Sequence, residues 1–195
     1  MSSDVASHCV RELIDRGYDS VVTSALAPAD AVAFLDVGFA VRERLDLLEH
    51  QMRALPTPRR PCARMRRADL PSVLMVDRLA FDDDWRLDVG GLDDAIGATP
   101  VARSRVARDE ELIGYAITGR AGRQGYLQRV AVHPNARRCG WGRDLVADGL
   151  GWLIRHGVQR AVVNTQVDNA PAHALYRACG FEPLPVGLCV LGRDL

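Results

Sequence analysis

Apolar residues recur every three or four positions in several stretches of the sequence, which is the spacing of one face of a helix. One stretch predicts a helix over residues 143–156, ended by Gly157. Another predicts a helix that begins after Asp69 as its N-cap, and a short helix follows at 90–99. A last helix is predicted over 169–180, because an asparagine opens this stretch and a glycine closes it.

Shorter runs of β-branched and apolar residues predict strands between these helices. Three consecutive strands at 101–107, 111–118 and 126–132 are separated by turns and predict an antiparallel meander. Two further strands, at 160–164 and 187–191, flank the last helix, and the first of them completes a βαβ unit. This order of elements predicts an α+β fold with a mixed α/β sheet.

The first fifty residues repeat part of that order. The stretch beginning at Leu13, "LIDRGYDSVVTSAL", resembles "LIRHGVQRAVVNTQ", which begins at Leu153. Residues 4–50 are therefore predicted to be a partial copy of the C-terminal half of the fold, with chance similarity between two amphipathic stretches as the alternative. The proline- and arginine-rich segment that follows predicts a linker. We accordingly expect a half-domain with its linker at 1–57 and a complete domain at 58–195.

The composition is that of an ordinary globular protein with 195 residues, 48% apolar content and no net charge. Its 25 basic residues are balanced by 25 acidic ones, so no nucleic-acid partner is expected. The five cysteines lack the spacing of a metal site, and no metal is expected. The N-terminus does not resemble a signal peptide, and no apolar run approaches the roughly 20 residues of a membrane span. These features predict a cytoplasmic protein without a membrane partner.

Several arginines of the linker form a basic cluster in the sequence. A solvated segment leading into an edge strand is the favoured interpretation, and an acidic partner is the alternative. The cluster consists of Arg59, Arg60, Arg64, Arg66 and Arg67.

The segment "RRCGWGRD" combines two glycines with arginines at the start of the helix predicted over 143–156. Unpaired backbone N–H groups at a helix N-terminus form an anion site, and Gly140 and Gly142 allow a ligand to approach the main chain. A P-loop is excluded because Arg143 and Asp144 follow Gly142, where Lys and Ser or Thr are needed. A dinucleotide fingerprint is disfavoured because Leu145 stands where a small residue is needed.

Two motifs together resemble those of the GNAT family of acyl-CoA-dependent N-acetyltransferases. The first is RxxGxG, formed by Arg137, Gly140 and Gly142. The second is "DNAPAHALYRACGF", which resembles the family pattern NxxAxxLYxxxGF and contains Asn169 and Tyr176. The resemblance covers residues 63–195, and the wording of the motifs is nearest to the RimI-like branch, which acetylates protein N-terminal amines.

The resemblance implies the GNAT fold and direct transfer of an acetyl group from acetyl-CoA to a primary amine, on a peptide N-terminus or a small molecule. It implies that two neighbouring parallel strands splay apart and that the pantetheine arm lies along the first of them. Asn169 would contact this arm or hold the following turn, and Tyr176 would protonate the departing thiolate as general acid. The implied cofactor-binding residues are completed by Val130, Ala131 and Val132 on the strand and by Arg137, Arg138, Cys139, Gly140, Trp141, Gly142 and Arg143 in the loop.

The general base is the point at which this chain departs from the family. Related enzymes place a glutamate where this chain has Asn164, which cannot take a proton. No base is assigned, and the acids left as candidates are Asp82, Asp83, Asp84, Glu110 and Glu111. The missing carboxylate motivates a second hypothesis, a non-catalytic acyl-CoA-binding or protein-interaction module. A homodimer is compatible with the sequence, which does not decide the oligomeric state.

Overall fold

The computed structural model of the chain describes residues 2–195, and its elements follow the predicted order. The α-helices are α1 Ser3–Asp15, α2 Pro28–Leu35, α3 Leu70–Ala80, α4 Val89–Gly97, α5 Trp141–Arg155 and α6 Ala170–Ala178. The strands are β1 Ser20–Val22, β2 Ala40–His50, β3 Ala63–Arg64, β4 Val101–Asp109, β5 Glu111–Ala121, β6 Gln124–Val132, β7 Arg160–Gln166, β8 Glu182–Pro183 and β9 Leu188–Asp194.

The chain divides into two compact units that do not follow a single cut in the sequence. Unit 1 contains residues up to Leu48 together with 164–173 and 183–195, and unit 2 contains 49–163 and 174–182. The chain passes from unit 2 to unit 1 within β7, after Val163. The boundary near residue 58 was expected from the proline- and arginine-rich linker, and it stays a prediction.

Unit 2 is built on the strands β7, β6, β5, β4 and β3, in that order across the sheet. The strands from β6 to β3 pair antiparallel, as the meander predicts, whereas β6 and β7 are parallel. One face packs on α3 and α4 through a cluster that includes Val76, Leu92 and Ile117. The other face packs on α5 through Trp141 and Leu145. The sheet is therefore covered on both faces, as alternation of side chains across β5 requires.

Unit 1 contains the antiparallel strands β1, β9 and β2, in that order. Its apolar cluster joins Val10 of α1, Ala31 of α2 and Leu191 of β9. The predicted helix–strand–helix–strand order of the first fifty residues is thus present.

Two helix starts differ in detail from the sequence expectation. Asp69 precedes α3, but its carboxylate does not cap this helix. A 3₁₀ turn, Arg67–Asp69, lies directly before α3, and the carboxylate of Asp69 accepts from the backbone N–H of Arg66 at 2.8 Å. The helix α5 begins at Trp141, two residues before the expected start, directly after Gly140. Among residues 2–195, the longest helix has 15 residues, and none has the length and apolar character needed to cross a bilayer.

Candidate active site

The strands β6 and β7 pair over only part of their length. Their parallel ladder has three residue pairs and ends at Tyr126 and Val162. Farther along β6, residues 127–132 pair with β5 within the described part of the chain. The register between these two strands skips Gln128, which forms a β-bulge. The opposite edge of β6 at 130–132 therefore offers backbone groups with which an extended ligand can pair.

The loop between β6 and α5 leaves a row of backbone N–H groups without acceptors. Gly140 is the N-cap of α5 with φ +87°, and no side chain caps the helix. Within residues 2–195, none of the N–H groups from Arg138 to Arg143 donates a hydrogen bond. These groups lie at the N-terminus of a 15-residue helix, where the aligned peptide dipoles favour a negative charge. The loop therefore has the features of an anion-binding site.

Both glycines of the loop have close side-chain neighbours that would have to shift by a few tenths of an ångström to admit a Cβ. A Cβ on Gly140 would lie 3.1 Å from Nη2 of Arg60, and φ at Gly140 is in the left-handed region. A Cβ on Gly142 would lie 3.2 Å from Cδ2 of Leu175 on α6. The positive φ therefore favours glycine at position 140, and packing against Leu175 leaves little room for a larger residue at position 142.

Two of the three arginines expected to contact the anion already make contacts within unit 2. Nη2 of Arg137 donates to the carbonyl of Ala80 at 3.2 Å, and Nη1 of Arg143 donates to the carbonyl of Thr57 at 3.0 Å. Arg138 is exposed and has φ +64°. Each of these guanidinium groups has further N–H donors that remain available to a ligand.

Residues that the sequence interpretation missed lie beside the loop. Asp144, on the first turn of α5, has a side chain that is 1% exposed, and its carboxylate accepts from Nε of Arg60 at 2.8 Å and from the backbone N–H of Arg59 at 2.8 Å. Nη2 of Arg60 donates to the carbonyl of Cys139 at 2.8 Å, and its Cζ lies 3.5 Å from the ring centroid of Trp141. The expectation of a solvated linker was wrong for Arg60, whereas Arg59 is exposed and contacts Asp144 only through its backbone N–H. The signal available in the sequence was an aspartate on the apolar side of α5, because a buried carboxylate needs a partner.

Tyr176 lies on α6 with 6% of its surface exposed. Its ring packs edge-on against Phe181, with centroids 5.7 Å apart. Burial raises the pKa of its phenol well above the ordinary value, and Cys179 raises it further, whereas the positive charge of Arg129 acts in the opposite direction. The phenol is therefore protonated at neutral pH, which is the state that a proton donor requires.

Asn169 holds the start of α6. Its Oδ1 accepts from the backbone N–H of Ala172 at 3.1 Å, which is the geometry of an N-cap. Two roles were expected for Asn169, contact with the pantetheine arm or holding the turn. The hydrogen bond to Ala172 is a contact of the second kind. His173, which follows on α6, has its Nε2 3.2 Å from the carbonyl of Gln166 and 3.4 Å from the carboxylate of Asp46.

Within residues 2–195, no carboxylate is assigned as general base in place of Asn164, which is exposed on β7. The candidate acids Asp82, Asp83, Asp84, Glu110 and Glu111 are all exposed. The buried carboxylate of Asp77 on α3 accepts from Arg129, from the hydroxyl of Tyr115 and from the backbone N–H of Leu87, so its oxygens are occupied. No base is therefore assigned from the structure either.

A mixed sheet with separating parallel strands and an anion-binding loop after the first of them is the arrangement implied by the two motifs. Residues 66–181 match the model of the acetyltransferase (GNAT) family. The chain belongs to this family, which confirms the predicted family and the predicted mixed-sheet fold.

The chain is similar to several individual proteins, and the matches cover different shares of their lengths. It is 40% identical over 58 residues to a mycothiol acetyltransferase of Saccharomonospora viridis, a match that covers 30% of this chain and 19% of that protein. It is 33% identical over 110 residues to an aminoglycoside N(6')-acetyltransferase type 1 of Stenotrophomonas maltophilia, covering 52% of this chain and 70% of that protein. A tandem GNAT protein from the clavulanic acid biosynthesis pathway shares the fold with a TM-score of 0.68 at 15% identity, over 96% of this chain and 67% of that one.

The fold of the tandem protein agrees with the interpretation of residues 4–50 as a partial repeat. The match spans only 19% of the length of the mycothiol acetyltransferase. The residue assignments within the site also stay predictions.

Proposed function

We propose that this protein transfers an acetyl group from acetyl-CoA directly to a primary amine. The observation that carries the proposal is the row of unpaired backbone N–H groups from Arg138 to Arg143, next to the free edge of β6. These N–H groups would bind the diphosphate of CoA, and the backbone at 130–132 would pair with the pantetheine arm. Both assignments rest on the fit between donors and ligand chemistry.

The chain's own residues would then serve the transfer in defined roles. Acetyl-CoA supplies the thioester, the attacking nitrogen forms the new bond to its carbonyl carbon, and the C–S bond breaks. Tyr176 would give its phenolic proton to the thiolate as general acid. Its raised pKa ensures that the phenol carries this proton at neutral pH. The proton released by the amine would pass to water, because no carboxylate is assigned to accept it, and the Tyr176 phenolate would take a proton back from water.

The acceptor proposed is the primary amine of a small molecule or a peptide N-terminus. The small-molecule side is supported by the relative named as an aminoglycoside acetyltransferase. The exposed carboxylates of Asp82, Asp83 and Asp84 would attract a cationic amine to this part of unit 2. The cytoplasmic location and a homodimer stay predictions.

The test combines ligand binding with thiol release. Acetyl-CoA should raise the melting temperature, because a ligand at 100 times its Kd stabilises the folded state by about 2.7 kcal/mol. The protein is then mixed with acetyl-CoA and a panel of aminoglycosides, small amines and peptides, and free thiol is measured. Absence of a thermal shift at saturating acetyl-CoA would count against the whole proposal.

A second candidate function is supported by the asparagine at position 164. A module that binds acyl-CoA without catalysis would show the thermal shift but release no thiol with any amine. The two readouts therefore separate the enzyme from the binding module.

A further inference from the structure

A buried carboxylate lies next to the proposed anion site. Asp144 belongs to the first turn of α5, the same turn whose N–H groups are free, and its side chain is 1% exposed. An uncompensated negative charge at this position would oppose a diphosphate and would cost free energy by its burial. The site can therefore bind an anion only if this charge is neutralised.

Arg60 supplies the neutralising charge from a different part of the chain. Its Nε donates to Oδ2 of Asp144 at 2.8 Å, and its guanidinium stacks on the ring of Trp141. The backbone N–H of Arg59 donates to the other oxygen, Oδ1, at 2.8 Å. Both carboxylate oxygens are thus satisfied by consecutive residues of the linker.

The same guanidinium also fixes the orientation of a peptide group in the loop. Nη2 of Arg60 donates to the carbonyl of Cys139 at 2.8 Å. In a planar trans peptide, the C=O of one residue and the N–H of the next point in opposite directions. The N–H of Gly140 is therefore turned away from Arg60, and so it stays free for a ligand. A Cβ at Gly140 would lie 3.1 Å from Nη2, so the guanidinium would have to shift by a few tenths of an ångström to keep its contacts beside any larger residue.

We propose that Arg60 is a positioning residue of the cofactor site: it neutralises Asp144 and orients the Cys139–Gly140 peptide so that the loop N–H groups can bind the CoA diphosphate. The inference rests on the proposed function. It makes the segment 57–60 part of the cofactor site, because Arg143 also donates to the carbonyl of Thr57. An arginine suits this role better than lysine, because its planar fork serves the carboxylate and the carbonyl at once.

The experiment measures the Kd of CoA by calorimetry for the full chain and for Arg60→Met, Arg60→Lys, Asp144→Asn and the double variant Arg60→Met with Asp144→Asn. We expect Arg60→Met to weaken binding by about tenfold or more, the range for losing hydrogen bonds to charged groups. The double variant should bind more tightly than Arg60→Met, since the unpaired charge is gone. Arg60→Lys should fall between the wild type and Arg60→Met.

Arg64→Met is the matched control, because Arg64 is an exposed arginine of the same linker on β3. It should bind CoA as the wild type does. The kinetic readout distinguishes positioning from general destabilisation, since Arg60→Met should raise the KM for acetyl-CoA and leave the KM for the amine unchanged. If Arg60→Met fails to fold, the comparison of Asp144→Asn with the double variant still isolates the orienting role, and equal Kd values in that pair would overturn it.

Equal CoA affinity of Arg60→Met and Arg64→Met would overturn the inference while leaving the proposed function intact. A wild type that does not bind CoA would instead overturn the proposed function.

Discussion

Arg129 on β6 meets Asp77 on α3 through two hydrogen bonds, Nε to Oδ2 and Nη2 to Oδ1, each 2.9 Å long. The side chains are 10% and 0% exposed, so the pair is almost completely removed from water. Nη2 of Arg129 also donates to the carbonyl of Trp85 at 2.6 Å, and Asp77 accepts from the N–H of Leu87 at 2.7 Å. One ion pair thus ties the segment between α3 and α4 to the strand that the proposed pantetheine site uses.

Breaking this pair should destabilise the protein strongly. Arg129→Met leaves the carboxylate of Asp77 buried without its cation, and the loss of one partner of a buried pair costs about 3–5 kcal/mol. The free energy of unfolding, measured in urea, should fall by that amount. Arg42→Met is the control, because its partner Asp194 has a side chain that is 88% exposed, and such surface pairs contribute about 0–1 kcal/mol. Similar losses in the two variants would contradict the burial argument.

Removing the phenolic proton donor should slow transfer without affecting cofactor binding. Tyr176→Phe keeps the ring that packs on Phe181 and removes only the hydroxyl. Because general acid catalysis contributes typically 10²–10⁴-fold, we expect kcat to fall by about 100-fold or more, with the Kd of CoA nearly unchanged. Stopped or continuous thiol assays and calorimetry measure the two quantities. Unchanged kcat would remove Tyr176 from the mechanism.

Replacing Gly140, the N-cap of α5, by alanine should lower the affinity for CoA as well as the stability of the fold. Gly140→Ala places a Cβ 3.1 Å from Arg60 at a residue with φ +87°, which costs about 1–2 kcal/mol in backbone strain alone. Gly157→Ala is a matched control, because Gly157 follows the other end of α5 with φ +74° and a Cβ there would have no neighbouring atom within 4 Å. Both should lose stability, measured by thermal unfolding. Only Gly140→Ala should lose CoA affinity, and equal affinities would show that the loop conformation is unimportant.

Acidification should destabilise the fold through His50. This residue ends β2, is fully buried, and its Nδ1 accepts from the N–H of Met52 at 2.9 Å. Burial lowers the pKa of His50, although a backbone contact to Cys179 acts in the opposite direction. Well above pH 6.5 the ring is neutral in both states, so its contribution is constant. Below that pH the unfolded chain takes up a proton that the folded protein resists, and stability falls by at most about 1.4 kcal/mol per pH unit.

The check on His50 is the pH dependence of the free energy of unfolding between pH 7.5 and 5. His50→Asn should have a shallower slope below pH 6.5 than the wild type. His8→Asn serves as the control, because His8 is exposed on α1. A slope in His50→Asn that equals that of the wild type would assign the acid sensitivity to other groups.

The sequence by itself determined the order of elements, the family and the glycine loop. Helical and strand periodicities depend on neighbouring residues, so the elements from α3 to α6 were located within a few positions. The stops at Gly157 and Gly180 were also local, since both residues have the positive φ that favours glycine. The capping contact of Asn169 lies three residues from its partner and was likewise within reach of the motif.

Only the tertiary structure decided which charged residues support the site. Arg60 and Asp144 are 84 positions apart in the sequence, and Arg129 and Asp77 are 52 apart. A pattern of periodicity assigns each such residue to a face but does not pair it with a distant partner, because pairing depends on how the sheet and helices pack. Burial makes these pairs important for the stability of the fold, because an unpaired charge removed from water costs free energy.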